Sequence, residues 1–260
     1  MNVLYSRCLS IIITGYKGYI ATKLIEKMDV FDWCELSIEN ILEPCTIVHL
    51  AAKADIKDGS ISLLKNNTNV DLLILEQCIA NNHRILYMST NNVYPLKMNC
   101  DEEDCYTPRD SYSLSKFVGE QFLKILPDNQ YIVLRLADVF GSKQKHGNFF
   151  KAIEHALSNH KPFELTNRGD KLRSYIYIDE LVNILEYSFR INEFDGGTYN
   201  ICHNEPLSLF DILLVAFNRV DENVKSSYDY RTMKQSTFFD YSYNFTMQEA
   251  LSEYLLKVKS

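Results

Sequence analysis

Short apolar runs alternate along this chain with longer segments in which apolar residues recur every three or four positions. Leu9–Thr14 is a run of the first kind and predicts a strand, and the stripe over Ile20–Met28 predicts the helix after it. Thr46–Ala52 predicts a strand ending in small residues, and Leu72, Leu73, Leu75 and Ile79 put a helix over Asn69–Asn81. Arg84–Ser89 reads as a strand, Ser111–Leu126 (behind Pro108) as a helix, and Tyr131–Leu136 as a strand again. Strand–helix alternation of this kind predicts an α/β fold, a doubly wound parallel sheet covered on both faces. The stretch from Gly18 to His49 is too short for a full strand, helix and third strand, so those elements are expected to be abbreviated.

The pattern loosens past Gly141. Phe149–Ser158 and Asp179–Phe189 read as helices, with the strand-like Lys171–Ile178 between them. Gly196-Gly197 turns into a strand at Thr198–Cys202, Ser208–Phe217 is helical, and the aromatic-rich Phe238–Phe245 precedes a last helix at Met247–Val258. This predicts a nucleotide-binding domain over residues 1–145, joined by a strand and helix from 170–202, and a small C-terminal substrate-binding lobe over most of 146–260.

With 260 residues, 46% of them hydrophobic, the chain can bury one large core, and its formal charge of −7 argues against nucleic-acid and anionic-membrane partners. Seven cysteines lack Cys-x-x-Cys spacing, and no signal peptide is evident; reduced thiols in the cytoplasm and no metal site are expected. No apolar run approaches the roughly 20 residues a membrane span needs.

The candidate chemistry begins at Thr14–Ala21, a predicted strand running through Gly15 and Gly18 into a helix. Such a turn lets backbone approach a pyrophosphate held at the helix N-terminus, as in a Rossmann-type dinucleotide site, against a plain tight strand–helix connection. Glu35 lies about 20 positions after the first glycine, where a carboxylate bonds the ribose of NAD, whereas Lys17 sits where a cation meets the 2′-phosphate of NADP. Both cofactors therefore remain open. Tyr112 and Lys116 share a helix face at i and i+4, where an ammonium favours the phenolate of its neighbour. Ser89-Thr90-Asn91-Asn92 falls at the C-terminal end of a predicted strand, where ligands bind in open parallel sheets. Arg173 and Arg135 are candidates for bidentate phosphate binding, against a plain surface or sheet-edge role for each.

In order and approximate spacing, these motifs resemble the extended short-chain dehydrogenase/reductase family, in its NAD-dependent epimerase/dehydratase branch acting on nucleotide sugars. The matching pieces are Thr14–Ala21, His49-Leu50-Ala51-Ala52, Asn67, Ser89–Tyr94, Tyr112–Lys116, Arg135–Gly141, Arg173–Asp179 and Tyr199-Asn200-Ile201. The resemblance implies that Tyr112 is the acid–base group, that Lys116 binds the nicotinamide ribose and lowers the phenol's pKa, and that Thr90 orients the sugar oxygen. It implies cofactor contacts at Tyr19, Ile20, Leu50, Ala51, Ala52 and Asn67, and a grip on the substrate diphosphate by Arg173; Asn91 and Asn148 are further substrate-side candidates. Nucleotide-sugar 4,6-dehydratases carry an Asp-Glu pair after the catalytic Thr; here Asn91 and Asn92 stand there, and amides cannot serve as acid and base. Asp138 replaces the family's usual Asn in the Arg135–Gly141 stretch. The expectation is a cytoplasmic NAD(P)-dependent reductase of a nucleotide-activated 4-keto-6-deoxy sugar in polysaccharide precursor synthesis, working as a homodimer. A nucleotide-sugar 4-epimerase is the alternative, and a non-catalytic NAD(P) sensor a more distant one.

Overall fold

The computed structural model describes residues 11–28, 33–35 (backbone only), 43–54, 60–104, 106–144, 149–159, 171–217 and 231–259. In chain order its regular elements begin β1 (Ile11–Thr14), α1 (Tyr19–Lys27), β2 (Trp33–Glu35), β3 (Thr46–His49), α2 (Ile61–Asn81), β4 (Arg84–Thr90), α3 (Ser111–Leu123) and β5 (Tyr131–Leu136). They continue with β6 (Asp138–Phe140), α4 (Phe149–Ser158), β7 (Leu172–Arg173), β8 (Tyr175–Tyr177) and α5 (Ile178–Ser188). The last are β9 (Thr198–Ile201), β10 (Leu207–Ser208), α6 (Leu209–Phe217) and α7 (Met247–Lys259). The chain forms two compact units interleaved in sequence: Met1–Ser89 with Pro108–Leu134 and Leu185–Thr198, and Thr90–Thr107 with Arg135–Ile184 and Tyr199–Ser260.

The sheet runs β2-β1-β3-β4-β5-β9, and β1 pairs in parallel with both β2 and β3, as β3 does with β4. This is the expected α/β, Rossmann-type fold. The order reverses between β1 and β3, the switch point where such sheets bind ligands. Every residue of β1 (Ile-Ile-Ile-Thr) and of β3 (Thr-Ile-Val-His) is buried, as a sheet covered on both faces requires. β2 is described over Trp33–Glu35, and the residues on either side of it, where abbreviated elements are expected, lie outside the described residues.

Two boundaries differ from the periodicity, for local reasons. Helix α2 starts at Ile61, eight residues before the predicted Asn69, because the Ser60 hydroxyl caps it by accepting the Leu63 N–H. The polar Lys65-Asn66-Asn67-Thr68 hid those first turns. Helix α3 stops at Leu123 rather than Leu126, because the N–H groups of Ile125 and Leu126 bond to carbonyls three residues back, ahead of Pro127. At its start, Asp110 and Ser113 form a reciprocal capping box, which fixes where Tyr112 and Lys116 emerge.

In the second unit the predicted strand Lys171–Ile178 is two strands. β7 pairs antiparallel with β10 and β8 parallel with β6, and the buried Ser174 between them accepts the Met233 N–H. Phe140, Phe150, Tyr175, Tyr177 and Tyr254 form an aromatic core, with Phe140 and Phe150 stacked at 4.8 Å. Arg135 lies fully buried between the rings of Tyr94 and Tyr106 and donates to the Tyr94 hydroxyl at 2.7 Å, so it is a core residue and takes neither role the sequence suggested.

His203 is buried and its Nε2 accepts the Tyr177 N–H at 3.2 Å, so the ring is neutral; burial pulls its pKa down to about 4. The unfolded chain, with its histidine near 6.5, binds that proton more readily, so stability present above about 6.5 is lost as pH falls toward 4. The loss expected from this group is about 3 kcal/mol. Chemical unfolding across that range should show a shallower acid dependence in His203→Gln, and equal slopes would place the acid sensitivity elsewhere.

Candidate active site

In the first unit, β1 delivers Thr14 to the start of the glycine turn. Gly15 has φ +68°, and a Cβ there would come within 2.8 Å of the backbone N and Cα of Ala51, so only glycine lets the turn close on the loop after β3. Gly18 is the N-cap of α1, and the first turn of that helix carries no acidic side chain. Tyr19 and Ile20 supply its first amides, an arrangement that suits an anion. Lys17 is exposed and lies 5.2 Å from the Tyr16 ring. The side chain of Glu35, at the end of β2, and all of Asn148 lie outside the described residues.

A buried polar chain starts at Thr14. Its hydroxyl accepts the N–H groups of Leu50 and Ala51, both at 3.1 Å, which uses both lone pairs. Its own proton therefore goes to His49 Nδ1 at 2.8 Å, and His49 Nε2–H donates to Asp71 Oδ1 at 2.8 Å. Burial lowers the His49 pKa, in keeping with a neutral ring. The second oxygen of Asp71 accepts the Tyr87 hydroxyl at 2.8 Å, and the Lys116 ammonium lies 4.6 Å from the centre of the Tyr87 ring. Asn67 is spent on the protein: it bridges Lys53 in both directions and donates to Ser115, tying the loop that carries Leu50, Ala51 and Ala52 to α3.

Lys116 is only 3% exposed, and its ammonium has no hydrogen-bond acceptor among the described residues. Burial lowers its pKa, while the charges of Asp71 and Glu120 raise it. One turn earlier, the partly buried Tyr112 has a hydroxyl with no partner among the described residues. Its pKa is pushed up to about 12 by burial and by the carboxylates of Asp110 and Asp71. The direction is opposite to the lowering by Lys116 that the spacing suggested, and the phenol holds its proton at neutral pH. An open glycine cradle at the switch point, with an ammonium and a phenol both wanting polar partners, fits a dinucleotide.

In the second unit, Thr90 caps the turn Asn91–Val93: its hydroxyl accepts the Asn92 N–H at 3.2 Å and reaches Asn91 Oδ1 at 3.5 Å. Asn91 donates to Asp138 at 3.4 Å, and Arg231 donates to the Asn92 side chain. Both amides are held as hydrogen-bond partners. Arg173 bridges through its backbone to Arg231, and both arginines lie within electrostatic reach of the exposed Asp138. The sequence reading missed Arg231, because nothing local sets it apart and only the fold brings it beside Arg173. It also missed Asp71, although a carboxylate on the helix face that carries Ile74, Leu75 and Cys78 is a visible exception to the apolar stripe.

The sequence profile of the NAD dependent epimerase/dehydratase family matches residues 22–202. The chain belongs to this family. dTDP-D-glucose 4,6-dehydratase from Dictyostelium discoideum is 26% identical over 200 residues, 67% of this chain and 45% of that protein. dTDP-4-dehydro-6-deoxyglucose reductase from Escherichia coli is 28% identical over 116 residues, 42% of this chain and 36% of that protein. The chain spans less than half the length of these two curated relatives. UDP-N-acetylglucosamine 4-epimerase from Bacillus cereus shares the fold at a TM-score of 0.81 and 19% identity, covering 96% of this chain and 95% of that one. Among the described residues this family member has no helix long and apolar enough to cross a membrane and no cluster of potential metal ligands.

Gly15→Ala should destabilise the protein by about 1–3 kcal/mol, the range for strained backbone, and abolish binding of the reduced dinucleotide. Gly18→Ala, at φ −71° and opposed only by the Gly15 carbonyl at 3.0 Å, should do less on both counts. Chemical unfolding and nicotinamide-fluorescence titration read both effects; a Gly15→Ala protein that binds like wild type would contradict the cradle.

Proposed function

We propose that this protein is an NAD(P)-dependent reductase of a nucleoside-diphosphate 4-keto-6-deoxy sugar. The observation that carries the reading is the placement of the Tyr112 phenol one turn from the buried Lys116 ammonium on α3, in the unit whose glycine turn suits a dinucleotide. The raised pKa of Tyr112 is in keeping with a proton donor. Reduction of a ketone needs an acid from the start. A 4-epimerase begins by removing a proton from the sugar hydroxyl and needs a base. The amides at Asn91 and Asn92, held by Asp138 and Arg231, support the exclusion of dehydration, which needs a second acid–base pair.

On this reading residues 1–145 bind the dinucleotide and most of 146–260 the sugar nucleotide. The dinucleotide, when bound, supplies the hydride that reaches the carbonyl carbon. Tyr112 gives its proton to the carbonyl oxygen as the C–O double bond becomes a C–O single bond, and the phenolate left behind is reprotonated from solvent. The Lys116 ammonium bonds the nicotinamide ribose and stabilises that transient phenolate. Thr90 donates to the sugar oxygen, a bond that strengthens as charge grows there. Arg173 and Arg231 hold the diphosphate. Glu35 favours NAD and Lys17 favours NADP, so the cofactor is written NAD(P). The exposed Leu72, Leu73 and Ile79 of α2 and Leu114 of α3 support a homodimer through these helices. The setting that goes with this activity is cytoplasmic synthesis of polysaccharide precursors.

Purified protein with NADH or NADPH and a panel of 4-keto-6-deoxy sugar nucleotides should consume the reduced cofactor. Tyr112→Phe should lower the rate by about 10²–10⁴-fold, the usual contribution of a positioned acid, with little change in cofactor affinity. The wild-type rate should stay level between pH of about 6 and 9, since the acid is lost only as pH rises through its pKa. Sugar interconversion without net cofactor consumption, at a rate rising with pH, would instead establish the epimerase.

A further inference from the structure

The chain Thr14–His49–Asp71–Tyr87 ends under the ammonium on which the proposed chemistry turns. Four elements converge there: β3 brings His49, α2 Asp71, β4 Tyr87 and α3 Lys116. We infer that Asp71 and Tyr87 are positioning residues for Lys116: Asp71, fixed by His49, holds the Tyr87 hydroxyl so that the ring face seats the ammonium.

Three observations support this. Gly119 lies one turn beyond Lys116, and a Cβ there would stand 2.0 Å from the Tyr87 hydroxyl and 2.5 Å from the nearer Asp71 oxygen. Helix α3 is therefore pressed against the Asp71–Tyr87 pair, so a shift in the pair moves the helix that carries the ammonium. Second, Lys116 has no hydrogen-bond acceptor among the described residues to hold it, which leaves the ring face and the neighbouring charges to set its position. Third, the far end of the chain is Thr14, which pins the amides of Leu50 and Ala51, so the cofactor-lining loop and the ammonium share one anchor.

The groups around Lys116 are Asp71 from α2, Tyr87 from β4, neutral His49 from β3, and Tyr112 and Glu120 from α3. Asp71 and Glu120 both favour the charged ammonium. Removing the Asp71 charge favours loss of the proton, so the alkaline limit of Lys116 function moves to lower pH. Tyr87 stays protonated throughout, because burial and Asp71 raise its pKa well above the ordinary tyrosine value.

This rests on Lys116 meeting the dinucleotide, and the test is a pH titration of the affinity for NADH or NADPH, which needs no sugar. In Asp71→Asn the alkaline limb of binding should fall by about one pH unit or more relative to wild type. Tyr87→Phe keeps the ring and the Asp71 charge but frees the ring from its anchor. It should weaken binding roughly tenfold, the worth of one contact to a charged group, with the limb left in place. An unmoved limb in folded Asp71→Asn, or a wild-type protein with no alkaline limb, overturns the inference. If Asp71→Asn does not fold, Tyr87→Phe decides, and wild-type affinity there overturns it. A protein that binds the cofactor with the expected limbs yet reduces no 4-keto sugar overturns the reductase reading alone.

Discussion

An ammonium taken out of water is costly, by several kcal/mol even after the surroundings relax, and Lys116 is almost wholly buried. Much of the first unit is explained by how that group is tolerated. It rests on an aromatic face and has two carboxylates in its neighbourhood. One of these, Glu120, accepts the Ser89 hydroxyl, and the other, Asp71, accepts both His49 and Tyr87. None of these groups could be buried alone; together they satisfy one another, and the ammonium keeps its hydrogen-bonding capacity free.

One of these carboxylates, Asp71, also shapes the phenol, together with Asp110. The Tyr-x-x-x-Lys spacing suggests a tyrosine made acidic by its lysine. Tyr112 instead has a raised pKa, because of burial and the negative charges of Asp110 and Asp71. Asp110 is also the N-cap of α3, so the residue that sets where the helix begins holds the proton on its second residue. Helix capping and the ionisation of Tyr112 depend on one side chain here.

Much of this was legible in the sequence. Apolar runs located β1, β3, β4 and β5 to within a few residues, because strands buried on both faces leave little room for polar substitution. The glycine turn was legible because positive φ at Gly15 and its approach to Ala51 leave no other choice. What escaped was set by pairing at a distance: the split of Lys171–Ile178 between two sheets, the adjacency of Arg231 and Arg173, and the partners of Asp71. Arg135 had the composition of a phosphate ligand and proved a core residue, because only the fold places two tyrosine rings against it. A charged residue on an apolar stripe records that burial is compensated but does not name the compensating group.

Tyr112 is a neutral acid held above the ordinary tyrosine range by its surroundings. Its ionisation can be read directly, as the difference in phenolate absorbance between wild type and Tyr112→Phe during an alkaline titration of cofactor-free protein. No Tyr112 phenolate should form at or below a pH of about 10, where an unperturbed tyrosine is half ionised. A phenolate signal from this residue near neutral pH would contradict it.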